Sequence, residues 1–253
     1  MGKKSREQRR ASERASARLR AAEAARRRQR LAWVGGATVV AVGLAVGLGV
    51  SLGGSGGPNL KLAPLSSLGR LDAAPSPGPV GPEGVPIPRA RALAGSTTGA
   101  TGQVVDGISC STTEQTLFHV HTHLTIFVDG HPRQVPYGIG IAPPRRLSQT
   151  PAGPFVSGGS CFYWLHTHAA DGVIHIESPL QRTFTLGEFF DIWGEPLSSH
   201  QVGPARGKVT AFYNGEVYRG NPRNIPIGDR VQVQLDVGSP LVAPEHIAFP
   251  PGV

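Results

Sequence analysis

The sequence predicts a mainly β, α+β domain with one short helix, an antiparallel sandwich or barrel-like unit carried behind a single transmembrane helix. Three features predict it. Alternating apolar and polar segments are separated by Asp-Gly and Asn-Gly pairs, one segment carries a helix-capping signature, and an uncharged apolar run follows a strongly basic arm.

The arm is residues 1–30. It holds twelve Lys or Arg against three Glu, a local charge of +9 in a chain whose total is +8, so the remainder is close to neutral. Arg-rich runs standing alone suggest nucleic-acid binding. This one is followed at once by residues 31–54, LAWVGGATVVAVGLAVGLGVSLGG, which contain no charged side chain. At ~1.5 Å per residue such a helix spans a ~30 Å hydrocarbon core. Trp33 sits where an interfacial aromatic belongs, and the Lys/Arg excess on the N-terminal flank places the arm in the cytoplasm and the C-terminal side outside. A signal peptide would have a shorter basic region, a shorter apolar stretch and an A-x-A site. The expected partner of helix and arm is therefore membrane lipid, anionic lipid for the arm, and no nucleic acid is expected.

Residues 55–102 are dense in Gly, Pro, Ser and Ala, with PSPGPVGPEGVPIP at their centre, and read as a semi-extended linker. Residues 103–253 form the expected extracytoplasmic domain, large enough for one core. Alternation marks strands at Leu117–Val128, Cys161–His168, Val173–Ser178, Lys208–Tyr213 and Val231–Val237, and Asp129-Gly130, Asp171-Gly172 and Asn214-Gly215 read as hairpin turns. The helix is expected at Leu186–Trp193, where Thr185 and Glu188 form a T-x-x-E capping box and Gly194 ends it. Phe162, Tyr163, Trp164, Phe189, Phe190 and Trp193 are expected in the core. IFVDGHPRQVP and AFYNGEVYRGNPRNIP are faintly alike, as two β-hairpins can be by coincidence.

Only two cysteines occur, Cys110 and Cys161, both beyond the apolar run. In an oxidising compartment they are expected to pair, which would stabilise the fold by roughly 4 kcal/mol for a loop of this length. Met1 is the only methionine, so thioether ligands are excluded and paired cysteines would remove thiolates.

Six of the nine histidines fall in two windows. In FHVHTHL, His119, His121 and His123 alternate and share one strand face. In LHTHAADGVIHIES, His166 and His168 share a face. A two-residue turn at Asp171-Gly172 sets His168 opposite His175 and His166 opposite Glu177, whereas a four-residue loop sets His166 opposite His175. Either register converges the three imidazoles. Three histidines from paired strands make an open metal site suited to zinc or copper and less to iron, though imidazole alone does not select the ion. Glu177 is a candidate ligand, outer-sphere acceptor or general base, and a weak candidate catalytic residue. Asp171 is expected to shape its turn, and His131, His200 and His246 sit in loop-like contexts. A lone strand histidine is usually structural; clustering argues otherwise, because several buried imidazoles on one face would lack partners.

FHVHTHLTIFVDG, CFYWLHTH, GVIHIESP and FTLGEFFDIWG together resemble a pattern recurring in bacterial membrane-anchored or exported proteins. The resemblance covers most of the domain and implies an extracytoplasmic location, with no activity attached. The cupin pattern, H-x-H with Glu three or four residues on, is not met: Glu177 lies nine positions after His168. No G-x-S-x-G, H-E-x-x-H, P-loop or Rossmann glycine pattern occurs. Three functions follow as expectations: an extracytoplasmic module for copper or zinc, a metalloenzyme activating water or oxygen at an open three-His site, or an envelope scaffold domain with structural or pH-responsive histidines.

Overall fold

The computed structural model describes residues 60–96 and 99–253. The basic arm and the expected membrane span lie outside the described residues, and no helix among the described residues is long and apolar enough to cross a membrane.

The main sheet has eight strands. In chain order they are β1 (Leu62–Ala63), β2 (Phe118–Val128), β3 (His131–Arg133), β4 (Leu165–His166), β5 (Val173–Ser178), β6 (Val209–Tyr213), β7 (Glu216–Tyr218) and β8 (Val231–Val237). The spatial order is β1-β7-β6-β8-β2-β5-β4, with β3 folded back on β2. Asp129-Gly130 and Asn214-Gly215 close the β2–β3 and β6–β7 hairpins with φ of 50° and 75°, and 48° and 86°, the left-handed pair that matches strand twist in a two-residue turn.

The sheet is open, which corrects the barrel-like expectation. Its outer strands β1 and β4 are two residues each, too short to pair around into a closed ring. The all-antiparallel expectation also fails at the centre, where β8 runs parallel to β2 from Val231 opposite Thr122 to Val237 opposite Val128. Both strands are flanked on their other sides by antiparallel partners, so the sheet is mixed.

Alternation assigns each face. Leu124 and Ile126 of β2, Ile174 and Ile176 of β5, Ala211 of β6, and Val233, Leu235 and Val237 of β8 are buried in one apolar core. Against that core packs helix α1 (Leu186–Trp193), whose Leu186, Phe189, Phe190, Ile192 and Trp193 are buried. Its predicted cap is present: Thr185 Oγ1 accepts from the Glu188 N–H, the Glu188 carboxylate accepts from the Thr185 N–H, and Gly194 ends the helix at φ 82°.

The opposite face carries His121, His123 and Thr125 of β2, His175 and Glu177 of β5, and Gln234 and Asp236 of β8, all buried as well. Its cover is the segment expected to be a linker. Residues 62–63 join the sheet edge as β1, Asp72 bridges Val242, and residues 79–87 form a small hairpin with Val80 opposite Pro86 and the Gly81 N–H bonded to the Val85 carbonyl. The C-terminal tail completes it: Asp236 accepts from the Val242 N–H, and Gln234 accepts from the Glu245 N–H. Prolines hold the strap extended while leaving it few N–H donors, so it docks by single bridges and side-chain contacts instead of by a regular ladder.

Cys110 and Cys161 form a disulfide, joining the short strand Cys110–Ser111 to its antiparallel partner Phe162–Tyr163 just before β4.

Candidate metal centre

The register between β2 and β5 builds the site. His119 stands opposite Glu177 and His121 opposite His175, while across β5 His166 stands opposite His175. This is the longer-loop register. The chain leaves β4 after His166 because residues 167 and 168 bond elsewhere: Thr167 Oγ1 donates to the Pro136 carbonyl, and the Val156 N–H donates to the His168 carbonyl. Asp171 closes the loop as an Asx turn, its Oδ1 accepting from the Val173 N–H. Gly172 is required there, since at φ 87° a Cβ would stand 2.5 Å from the Leu124 carbonyl oxygen.

Two histidine triads result, His119/His121/His175 and His166/His168/His175, with the donor atoms of each within 4.8 Å of one another; Glu114, His166 and Glu177 form a third grouping. These buried groupings are able to hold a metal ion. Both sequence windows thus contribute, meeting at His175. His123 does not join them: its Nε2 lies 2.7 Å from the Asp171 carbonyl and its Nδ1 is 3.3 Å from Thr125 Oγ1. His131, His200 and His246 are exposed and apart.

The hydrogen bonds fix which nitrogens face inward. His166 Nδ1 lies 2.8 Å from the Tyr163 carbonyl and His168 Nδ1 2.6 Å from the Val156 carbonyl. A carbonyl only accepts, so each Nδ1 carries the hydrogen and each Nε2 presents a lone pair. Those two Nε2 atoms face each other at 3.2 Å. On the other side, His121 Nε2 is 3.1 Å from both His119 Nε2 and His175 Nδ1. Tetrahedral donors 2.0–2.1 Å from a zinc ion stand about 3.3–3.4 Å apart, so these spacings already match an ion's coordination shell.

Burial pulls His166 well below and His168 below the ordinary imidazole range, and burial with the neighbouring imidazoles holds His121 down to about 3. His175 differs. Burial opposes its charge, yet hydrogen bonds to Glu177 and Glu83 and the field of those carboxylates raise it to about 9. Glu177 Oε1 lies 3.1 Å from His119 Nε2 and 3.5 Å from His175 Nδ1, and its buried Oε2 has no hydrogen-bond partner.

Two carboxylates complete the surroundings from outside the predicted site. Glu83, at the tip of the strap hairpin, meets His175 Nε2 at 2.6 Å, and Glu114 Oε1 lies 3.7 Å from His168 Nε2. Neither has a local signal. Glu83 lies in a proline-rich stretch and Glu114 in a polar loop, and each reaches the site only through long-range packing.

A cavity of about 490 Å³ lies between strap, tail and sheet, with His123, Asp171, Arg89, Arg133 and His246 in its wall. None of the triad histidines lines it. The histidine cluster is closed on that side and reaches solvent at His119 and Glu114, whose side chains are 37% and 38% exposed. No family model, curated protein or solved structure matches the chain.

Proposed function

We propose that this chain is a membrane-anchored extracytoplasmic metal-binding protein that holds a transition metal, copper or zinc before iron, through its clustered histidines. The arm at residues 1–30 lies in the cytoplasm against anionic lipid, residues 31–54 cross the membrane, and the β domain stands outside. One observation carries the metal reading: His166 and His168, both buried, are locked by backbone carbonyls into the tautomer that sets their Nε2 lone pairs face to face at 3.2 Å. Such an arrangement is repulsive between neutral rings, and a shared cation removes the repulsion. With the cysteines paired and Met1 the only methionine, the available donors are imidazole and carboxylate, a set suited to Zn²⁺ and Cu²⁺.

The separation of the triads from the large cavity favours binding over catalysis. An open catalytic site needs a concave cleft at the ion, and the large cavity is walled by other residues.

The test is elemental analysis of the purified full-length protein beside its His166→Ala/His168→Ala variant. The wild type is expected to retain stoichiometric copper or zinc after dialysis, and the variant to retain less. Equal metal content in the two would overturn the proposal, as would a wild type that takes up none.

A further inference from the structure

We propose that the cluster is a two-ion centre in which the Glu177 carboxylate bridges two transition-metal ions, one held by His119, His121 and His175, the other by His166, His168 and Glu114. The inference rests on the metal-binding reading above and adds its stoichiometry and the role of Glu177.

The first donor set is His119 Nε2, His121 Nε2, His175 Nδ1 and Glu177 Oε1. Around that ring of four atoms the separations are 3.1, 3.1, 3.5 and 3.1 Å. These four adjacent separations lie close to the about 3.3–3.4 Å between neighbouring donors on a zinc-sized ion. His175 presents Nδ1 to this set because its Nε2–H is engaged by Glu83, the outer-sphere arrangement that orients a metal-bound imidazole.

A single imidazole nitrogen serves one ion. His175 therefore cannot complete both triads with Nδ1, and the second set needs other donors. His166 and His168 Nε2 stand 3.2 Å apart. Glu177 Oε2 lies 3.9 Å from His166 Nε2 and Glu114 Oε1 lies 3.7 Å from His168 Nε2. Both spacings are looser than in the first set, and the partly exposed Glu114 is the member that can close on an ion.

Glu177 joins the two sets. Its Oε1 faces His119 and His175, its Oε2 faces His166, and the buried Oε2 has no hydrogen-bond partner. One ion in the first set would leave the second pair of lone pairs and that oxygen without a positive partner. One ion in the second would leave His119 and His121 Nε2 facing each other at 3.1 Å without an ion between them. Two ions satisfy both.

Full-length protein stripped of metal and then loaded with ZnCl2 is expected to carry two ions per chain after removal of free ion. His119→Ala/His121→Ala and His166→Ala/His168→Ala should each carry one. Loaded with CuCl2, the wild type is expected to show the half-field electron paramagnetic resonance signal of two coupled Cu²⁺ ions, and the near-isosteric Glu177→Gln variant to lose it. One ion per wild-type chain overturns the two-ion centre and leaves the metal-binding reading standing; no ion overturns both. Two ions whose coupling is unchanged in Glu177→Gln overturn the bridge.

Discussion

The two faces of the sheet come from the same strands and are both buried, yet they are held by different forces. Even-numbered positions of β2 and β5 bury Leu124, Ile126, Ile174 and Ile176 against α1. Odd-numbered positions of the same strands bury His121, His123, His175 and Glu177 beneath a proline-rich strap. The first face gains from removing apolar area from water, a term that needs no directional partner. The second gains only where each polar atom finds a partner, and several do not: Glu83 Oε2, Asp171 Oδ2 and Glu177 Oε2 are buried without hydrogen bonds. The apolar face therefore supplies the stability against which the polar face holds chemically demanding groups.

The contrast is broken most severely from the apolar side. Phe190 is fully buried in α1 and packs edge-on against Phe189, with Trp193 beside it. Phe190→Ala is expected to cost about 3–5 kcal/mol by urea denaturation. Metal affinity of the molecules that remain folded should stay within a few fold, since His121, His166 and His175 stand together on the other face of the sheet. A large loss of affinity in folded variant would show that the faces are not separable in this way.

A change on the polar side should reach the metal directly. Glu83→Ala removes the acceptor from His175 Nε2 and is expected to weaken metal binding about 10–100-fold, the usual effect of losing an outer-sphere partner. Without metal the variant should unfold at lower urea than the wild type, because the buried His175 Nε2–H loses its charged acceptor. Isothermal titration with ZnCl2 checks the first part and urea denaturation in chelator the second. Unaltered zinc affinity would mean that the strap covers the centre without tuning it.

How much of this could be read beforehand follows the same division. Alternation made β2, β5, β6 and β8 legible, and the Thr185/Glu188 box with Gly194 placed α1, because these signals are local and repeat at the period of the element. The two histidine windows were legible for the same reason. The strap was not. Proline fixes its backbone and breaks any alternation, so PSPGPVGPEGVPIP gives the composition of a free linker even though it docks on the sheet. Glu83 lies 92 residues from His175 in sequence, and no period links them. The hairpin of Arg146–Thr150 with Gly153–Gly158 was missed too: its first strand is mostly exposed and polar, and Thr-Pro-Ala-Gly lacks the two-residue turn signature. The parallel pairing of β8 with β2 is a tertiary choice that alternation leaves open.

The smallest expected effect tests whether the polar face is costly away from the histidines. Asp236 is buried on β8, opposite Thr210 and Phe127, and accepts from the Val242 N–H and from Gln234 Nε2. Burial outweighs those hydrogen bonds and raises its carboxyl to about 6 from an ordinary 3.8. A folded pKa above the unfolded one means that the folded state holds the proton more tightly between those two values. Stability from this group is therefore fully present below about pH 4, falls as pH rises to about 6, and is level above. Asp236→Asn removes that titration. One pKa unit corresponds to about 1.4 kcal/mol, and Asn forfeits one of the two acceptors at about 1 kcal/mol, so a net gain of about 1–2 kcal/mol is expected at pH 7. The difference between variant and wild type in urea should grow from pH 4 to pH 6, while groups common to both cancel. A difference that does not change with pH would show that the tail's hydrogen bonds fully offset burial, and that the polar face strains only where the imidazoles meet.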